Sequence, residues 1–174
     1  MIGAGARIIN LSVGLMAPPL RAERGLEQAL QEAARRGAVV VAAAGNQGVV
    51  GGSAITRHPW VIPVVACDRQ GRALAASNLG ASIGRYGVAA PGHDITSLAA
   101  AGGYAKFSGT SAAVPFVSGT VALLWSLFPG ASATRLRLAI MAGPARRRSV
   151  APPLLDAWAA YQTLTSSNIG VAAR

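Results

Sequence analysis

The spacing of apolar positions changes several times along the chain, and each change marks an element. Residues 6–14, ARIINLSVG, are aliphatic and β-branched up to a glycine, which predicts a strand. MAPPL follows as a loop. In RAERGLEQALQEAARRG, residues 21–37, Leu26, Ala29, Leu30 and Ala33 recur at helical spacing. Glu23 and Glu27 stand early in that segment, Arg35 and Arg36 late, and Gly37 serves as a stop, so the charges complement a helix dipole. AVVVAAAG, residues 38–45, is unbroken in its apolarity, as in a parallel strand buried on both faces. Strand, helix and strand in sequence make a βαβ unit, whose crossover is right-handed.

A Gly-rich loop, GNQGVVGGS, leads to a further strand, WVIPVVACD. Residues 69–104 read as loops and short strands, with turn signals at RQGR, SNLG and APGHD. Ser111 to Phe128 predicts a long apolar helix ended by PGAS. SATRLRLAIMAG predicts another, with Ser132 as N-cap and Leu136, Ile140 and Met141 on one face. PPLLDAWAAYQTL gives a last short helix opened by prolines. The pattern is that of an α/β domain with a mostly parallel sheet, residues 1–174 forming one partial domain without internal repeats. The opening MIGAGARIIN resembles the last turn and glycine cap of a helix, so the fold is expected to be joined part-way, with its amino-terminal part outside this sequence.

Composition narrows the function. Hydrophobic residues make up 52% of the 174 positions and the formal net charge is +10. Such a charge invites a nucleic-acid reading. The cations are scattered arginines, however: Lys106 is the only lysine, and the single cluster, Arg146 to Arg148, has no aromatic residues interleaved for base stacking. No nucleic-acid partner is expected. Cys67, the one cysteine, stands in an apolar strand as a small core residue. The longest apolar run, Ala112 to Phe128, is interrupted by Pro115, Ser118, Gly119 and Ser126 and falls short of the ~20 residues of a membrane span. No membrane partner is expected, and with no signal peptide visible a cytoplasmic location is slightly favoured.

Two loops could carry chemistry. In AAAGNQG, Asn46 follows a parallel strand at the end where ligands bind in open α/β sheets. In SGTSAAVP, Ser111 occupies the first turn of a helix, where backbone N–H groups and the dipole favour developing negative charge. Taken singly, Ser111 reads first as a helix cap and Asn46 as a turn residue. GNQGVVGG matches neither the dinucleotide nor the P-loop pattern.

Taken together these segments resemble the subtilisin-like serine proteases. VVVAAAGNQG looks like that family's oxyanion strand and loop, and GTSAAVP like its nucleophile motif, with Ala112 where Met is common. INLSVG resembles the strand along which substrate backbone lies, and VAAPGHDITS the turn before the nucleophile. SAITRHPWVIPVVACD, SNLG and VPFVSG look more narrowly like the proteases that mature cyanobactin-type cyclic peptides. The resemblance implies a three-layer α/β/α fold and an endopeptidase acting on extended peptides. Ser111 would be the nucleophile, Asn46 and the Ser111 N–H the oxyanion donors, Ser12, Val13 and Gly14 the peptide-binding strand. Ala43, Ala44 and Gly45 would line the first specificity pocket.

A serine hydroxyl needs a base. The family takes it from a His-Gly-Thr motif and orients it with an Asp, both ahead of the strand matching INLSVG, and neither motif occurs in this sequence. His58 reads as a surface or capping residue. His93 adjoins Asp94, but neighbours in an extended segment face opposite ways, and the resemblance puts that turn beneath the site. The triad's Asp and His are therefore expected from elsewhere, or the chain is an inactive peptide-binding pseudo-protease or remnant. No cofactor is called for, and RYGV, with Arg85 and no acid, gives no expectation of calcium in this portion.

Overall fold

The structure, a computed structural model, describes residues 2–13, 22–142 and 149–169. A parallel four-stranded sheet forms its centre, in the order β1-β2-β3-β4: β1 Ile8–Leu11, β2 Val39–Ala43, β3 Val61–Cys67 and β4 Val88–Pro91. A separate antiparallel pair joins β5 Ile95–Leu98 to β6 Tyr104–Phe107. The helices are α1 Ala22–Arg35, α2 Ala54–Arg57, α3 Ala81–Tyr86, α4 Thr110–Leu127, α5 Ala133–Met141 and α6 Ala157–Ile169.

The period of two in a strand decides which layer each residue meets. Val39, Val41 and Ala43 of β2, with Ile62, Val64 and Ala66 of β3, pack against α4, α5 and α6 in one core. Val40 and Ala42 turn the other way, onto Leu30 and Ala33 of α1 and Ile55 of α2. Val65 and Cys67 join Ile83 of α3 on that same side. The sheet therefore lies between two helical layers, the α/β/α arrangement expected. Every residue of β2 and β3 is buried, which explains the absence of polar alternation in their sequences.

Helix α4 runs back along β1. Ser111 meets Ser12, Ser118 meets Asn10, and Trp125 lies beneath Arg7, whose guanidinium sits 3.8 Å from the ring centroid. These contacts recur every seven residues, close to two helical turns, so one row of α4 tracks the strand. The register Leu11↔Ala42 brings the carboxyl ends of β1 and β2 out side by side. The Ala-Pro-Gly turn after β4 is wedged under the start of α4: Gly109 N–H donates to Gly92 O at 2.8 Å.

Two helices exceed the expectation. Residues 69–104, read mostly as loops and short strands, do hold the short strand β4, which pairs with β3 in the main sheet, but also the helix α3. Helix α2 is a single turn closed by a Ser53–Thr56 capping box, too short for hydrophobic periodicity to reveal. The Arg146 to Arg148 cluster lies outside the described residues.

A methyl group at Gly92 would stand 2.6 Å from Ala66 Cβ and 2.9 Å from Gly109 O, both held by the core. Gly92→Ala should therefore destabilise the fold by about 1–3 kcal/mol through overpacking. A thermal melt reads this as a fall in Tm of roughly 3–10 °C, and an unchanged Tm would show that the turn yields.

Candidate active site

The site forms where β1, β2 and the start of α4 converge. Gly109 takes the N-cap position of α4 at φ 121°, with no side chain to cap the helix. The first-turn N–H of Ser111 is therefore left without an acceptor among the described residues. A Cβ at Gly109 would sit 3.1 Å from both amide atoms of Asn46, so only glycine lets the loop and the helix approach this closely.

Thr110 fixes Asn46. The Asn46 Oδ1 accepts from Thr110 N–H at 2.9 Å and from the Thr110 hydroxyl at 3.0 Å. The same hydroxyl accepts the Gly45 N–H at 3.2 Å. A backbone N–H only donates, so the atom facing it must be the carboxamide oxygen. The Asn46 NH2 is thereby turned away from Thr110, with no acceptor among the described residues. Thr110 itself is fully buried and Asn46 exposed, so a rigid anchor holds a solvent-facing donor.

Ser111 is held through its backbone as well as its side chain. A helix pairs the N–H of residue i with the carbonyl of i−4, and Pro115 has no N–H to give Ser111 O. The freed carbonyl accepts the Ser12 hydroxyl at 3.1 Å. Ser12 Oγ accepts in turn from Asn10 Nδ2 at 2.8 Å, while Asn10 Oδ1 accepts from the Ser118 hydroxyl at 2.9 Å. The Ser111 hydroxyl donates to Ser12 O at 3.2 Å. A backbone carbonyl takes a hydrogen bond but is no base, so this contact parks the hydroxyl without activating it.

Asn78 is a determinant that the sequence reading missed. Its Oδ1 accepts from the backbone N–H of Gln47 at 3.0 Å and of Val49 at 3.3 Å, and its own N–H donates to Gly45 O at 2.9 Å. The SNLG turn thus braces the loop bearing Asn46. Gly45, at φ 105°, has Asn78 Nδ2 only 2.3 Å from where a Cβ would be. A cavity of about 590 Å³ opens on the other side of Ser111, between the β5–β6 hairpin and α4, with Leu98, Phe107, Ala112 and Phe116 in its walls.

The remaining expected residues fall as follows. Ser12 and Val13 are exposed beside Ser111; Gly14 lies outside the described residues. Ala43 and Ala44 are buried, on opposite faces of the sheet, and Gly45 is buried at the loop entrance. His58 caps α2 and is buried, not at the surface: its Nδ1 accepts Trp60 N–H at 3.2 Å and its Nε2 lies 3.6 Å from Glu27. That places it on the α1 face of the sheet, across from Ser111. His93 is exposed on a cavity that Ser111 does not line, and Asp94 pairs with Lys106 at 3.5 Å. Among the described residues, no three His, Cys, Asp or Glu side chains cluster as metal ligands would.

Comparison with known proteins bears on the family and the fold. The sequence model of the subtilase family matches residues 1–151. Thermitase of Thermoactinomyces vulgaris is 38% identical over 136 residues, which are 78% of this chain and 46% of thermitase. Subtilisin Savinase of Lederbergia lenta is 35% identical over 133 residues, 76% of this chain and 47% of that protein. The chain thus spans about half the length of these relatives. Among solved structures, the patellamide maturation protease PatA superposes with a TM-score of 0.83 at 33% identity, covering 95% of this chain and 65% of PatA. The prenylagaramide maturation protease PagA gives 0.83 at 31%, covering 95% and 64%.

Removing the Thr110 hydroxyl should leave the Asn46 amide on the Thr110 N–H alone and the buried Gly45 N–H unpaired. Thr110→Val is expected to cost about 1–3 kcal/mol, with amide exchange at Gly45 accelerated in proportion. Asn78→Ala should speed exchange at Gln47 and Val49 while leaving β2 protected. Equal protection in both variants would show that the loop holds its shape unaided.

Proposed function

This chain belongs to the subtilase family, and on that premise we propose that it carries the nucleophile and oxyanion donors of a subtilisin-like serine endopeptidase. The observation that carries the reading is the Thr110 anchor, which aims a carboxamide donor out of a buried scaffold beside a helix-terminal serine. An extended peptide would lie along Ser12, Val13 and Gly14, and Ala43, Ala44 and Gly45 would floor the pocket for the side chain preceding the scissile bond. The cavity beside Ser111 has room for a side chain beyond it.

In the reaction, Ser111 Oγ attacks the scissile carbonyl carbon while its proton passes to a base. The carbonyl electrons move onto oxygen, where Asn46 Nδ2 and the Ser111 N–H meet the negative charge. Each such donor is worth about 2.7–4 kcal/mol in the transition state. Collapse expels the amine, which takes the proton from the base and leaves an acyl group on Ser111. Water then enters through the same oxyanion and releases the acid. The base is a histidine oriented by an aspartate, both supplied by polypeptide outside this sequence; no cofactor takes part. A second reading, a peptide-binding protein that does not cleave, is favoured by the Ser111 hydroxyl being spent on the Ser12 carbonyl with no base among the described residues near it.

A fluorophosphonate probe separates the two. The 174-residue chain alone should label no faster than its Ser111→Ala variant. With a polypeptide supplying the Asp and His, labelling of Ser111 should rise on the order of 10²-fold or more, the usual contribution of a positioned base. Labelling that stays flat although the complex forms would favour the non-cleaving reading, and rapid labelling of the isolated chain would show that a base within it had been overlooked.

A further inference from the structure

Helices α1 and α2 lie in one layer, where Leu30 and Ala33 of the first join Ile55 of the second in a common core. Beyond that core they do not close. A cleft of about 750 Å³ lies between them, and its walls are polar. Arg24, Glu27, Gln28 and Gln31 recur at helical spacing, so one face of α1 presents them all to the cleft. Arg57 and His58 line it from the other side. Close packing normally fills a gap between helices with apolar side chains. A polar lining here forgoes that burial, and a bound polar group would offset the loss.

His58 identifies the missing group. It is only 6% exposed, and its Nδ1 accepts the Trp60 N–H at 3.2 Å. An accepting Nδ1 makes the ring neutral and puts its hydrogen on Nε2. That donor faces Glu27, whose Oε1 stands 3.6 Å away, too far for a hydrogen bond. The same Oε1 already accepts from Gln31 Nε2 at 3.2 Å. Among the described residues only Arg137 Nε is both fully enclosed and without a hydrogen-bond partner, so His58 Nε2 opens onto the cleft. A ring nitrogen that carries hydrogen has no lone pair to give, so it is no metal ligand. Its neighbour Arg57 is set at the wall by a bond from Nη1 to Gly52 O at 2.9 Å.

We infer that this cleft binds a carboxylate, held by the Arg24 and Arg57 guanidinium groups and by His58 Nε2–H. With His58 neutral, two guanidinium groups face the one acid Glu27, so the walls carry a single net positive charge. The whole chain, at +10, draws anions toward it. A singly charged oxyanion balances the walls; a phosphate dianion or a cation does not. Guanidinium groups pair side by side with the two oxygens of a carboxylate, which together offer about four lone-pair sites. Glu27 stands at the flank as an opposing charge and limits the affinity. A small organic acid and an acidic peptide side chain share this chemistry, and titration separates them. The cleft lies across the sheet from Ser111 and owes nothing to the reaction proposed there.

The test titrates the full chain with acetate and with a doubly blocked dipeptide of glutamate, following the His58 ring by nitrogen–proton NMR. Constant ionic strength keeps screening fixed. The expected result is a saturable shift at His58 Nε2. Arg24→Gln should weaken binding about tenfold, the loss of one charge-assisted hydrogen bond. Glu27→Gln should tighten it severalfold by removing the repelling charge, and Arg69→Gln, an exposed arginine outside the cleft, should leave it unchanged. Arg24, Glu27 and Arg69 are all exposed, so unchanged melting establishes that the variants fold. Dipeptide affinity beyond the doubling given by its second carboxylate makes the ligand a peptide; affinity that follows carboxylate count makes it a small acid. A His58 resonance that does not move in the unmodified chain overturns the inference. So does an equal loss in Arg69→Gln, which would mean attraction to net charge alone. Weakening by Glu27→Gln overturns it too, since the cleft would then take a cation.

Discussion

One hydroxyl group ties the site together. Thr110 Oγ accepts from the Gly45 backbone and donates to the Asn46 carboxamide, joining segments 65 and 64 residues apart in sequence. Each partner is constrained from a second direction: Gly45 by Asn78, Asn46 by the Thr110 N–H, Thr110 by its place in the first turn of α4. An oxyanion donor acts by standing ready before charge develops, so that no reorganisation is spent at the moment of reaction. The Thr110 link gives that readiness to a side chain that is otherwise exposed and free to rotate. It also explains the glycines beside the contact, since a Cβ at Gly109 would press on the Asn46 amide and one at Gly45 on the Asn78 amide that braces the loop.

The same economy governs the helix. Pro115 would ordinarily be a defect inside α4, costing a backbone hydrogen bond. Here the carbonyl it strands belongs to Ser111 and finds the Ser12 hydroxyl, so the lost helical bond becomes a cross-link to the neighbouring strand. Asn10 and Ser118 extend that cross-link by two turns. The position of the serine is thus set by the helix axis and by β1 together, and movement of either is transmitted to it.

How much of this was legible in the sequence depends on the range of the interaction. The βαβ unit and α4 announce themselves through hydrophobic period, and Ser132 capped α5 as expected, accepting Arg135 N–H at 3.2 Å. Helices α2 and α3 are too short to show a period, and β4 is a tripeptide of small residues followed by proline, which becomes a strand only because β3 offers its edge. The loop positions of Asn46 and Ser111 could be read, whereas the Asn78 brace could not, because an asparagine in SNLG looks like any turn residue until the turn is seen against residues 45–49. His58 shows the converse. Its neighbours suggested a cap, and it is one, but burial against Glu27 depends on α1 folding back over the strand entrance, which no local pattern reveals. Pro115 was the missed clue: a proline four residues after Ser111 in a helix frees the carbonyl of that serine by arithmetic alone.

Chemical and physical incompleteness coincide at Ser111. The hydroxyl donates to a carbonyl that cannot receive its proton, and the helix behind it presents leucines to solvent. Either fact alone has an ordinary explanation, since many serines cap helices and single exposed leucines are common. A helix that rests one row on β1, turns exposed leucines the other way and begins at an unactivated serine is a different matter. Hydrophobic burial is non-directional and would accept many occupants, but a strand edge demands backbone in register and a nucleophile demands a base at one distance.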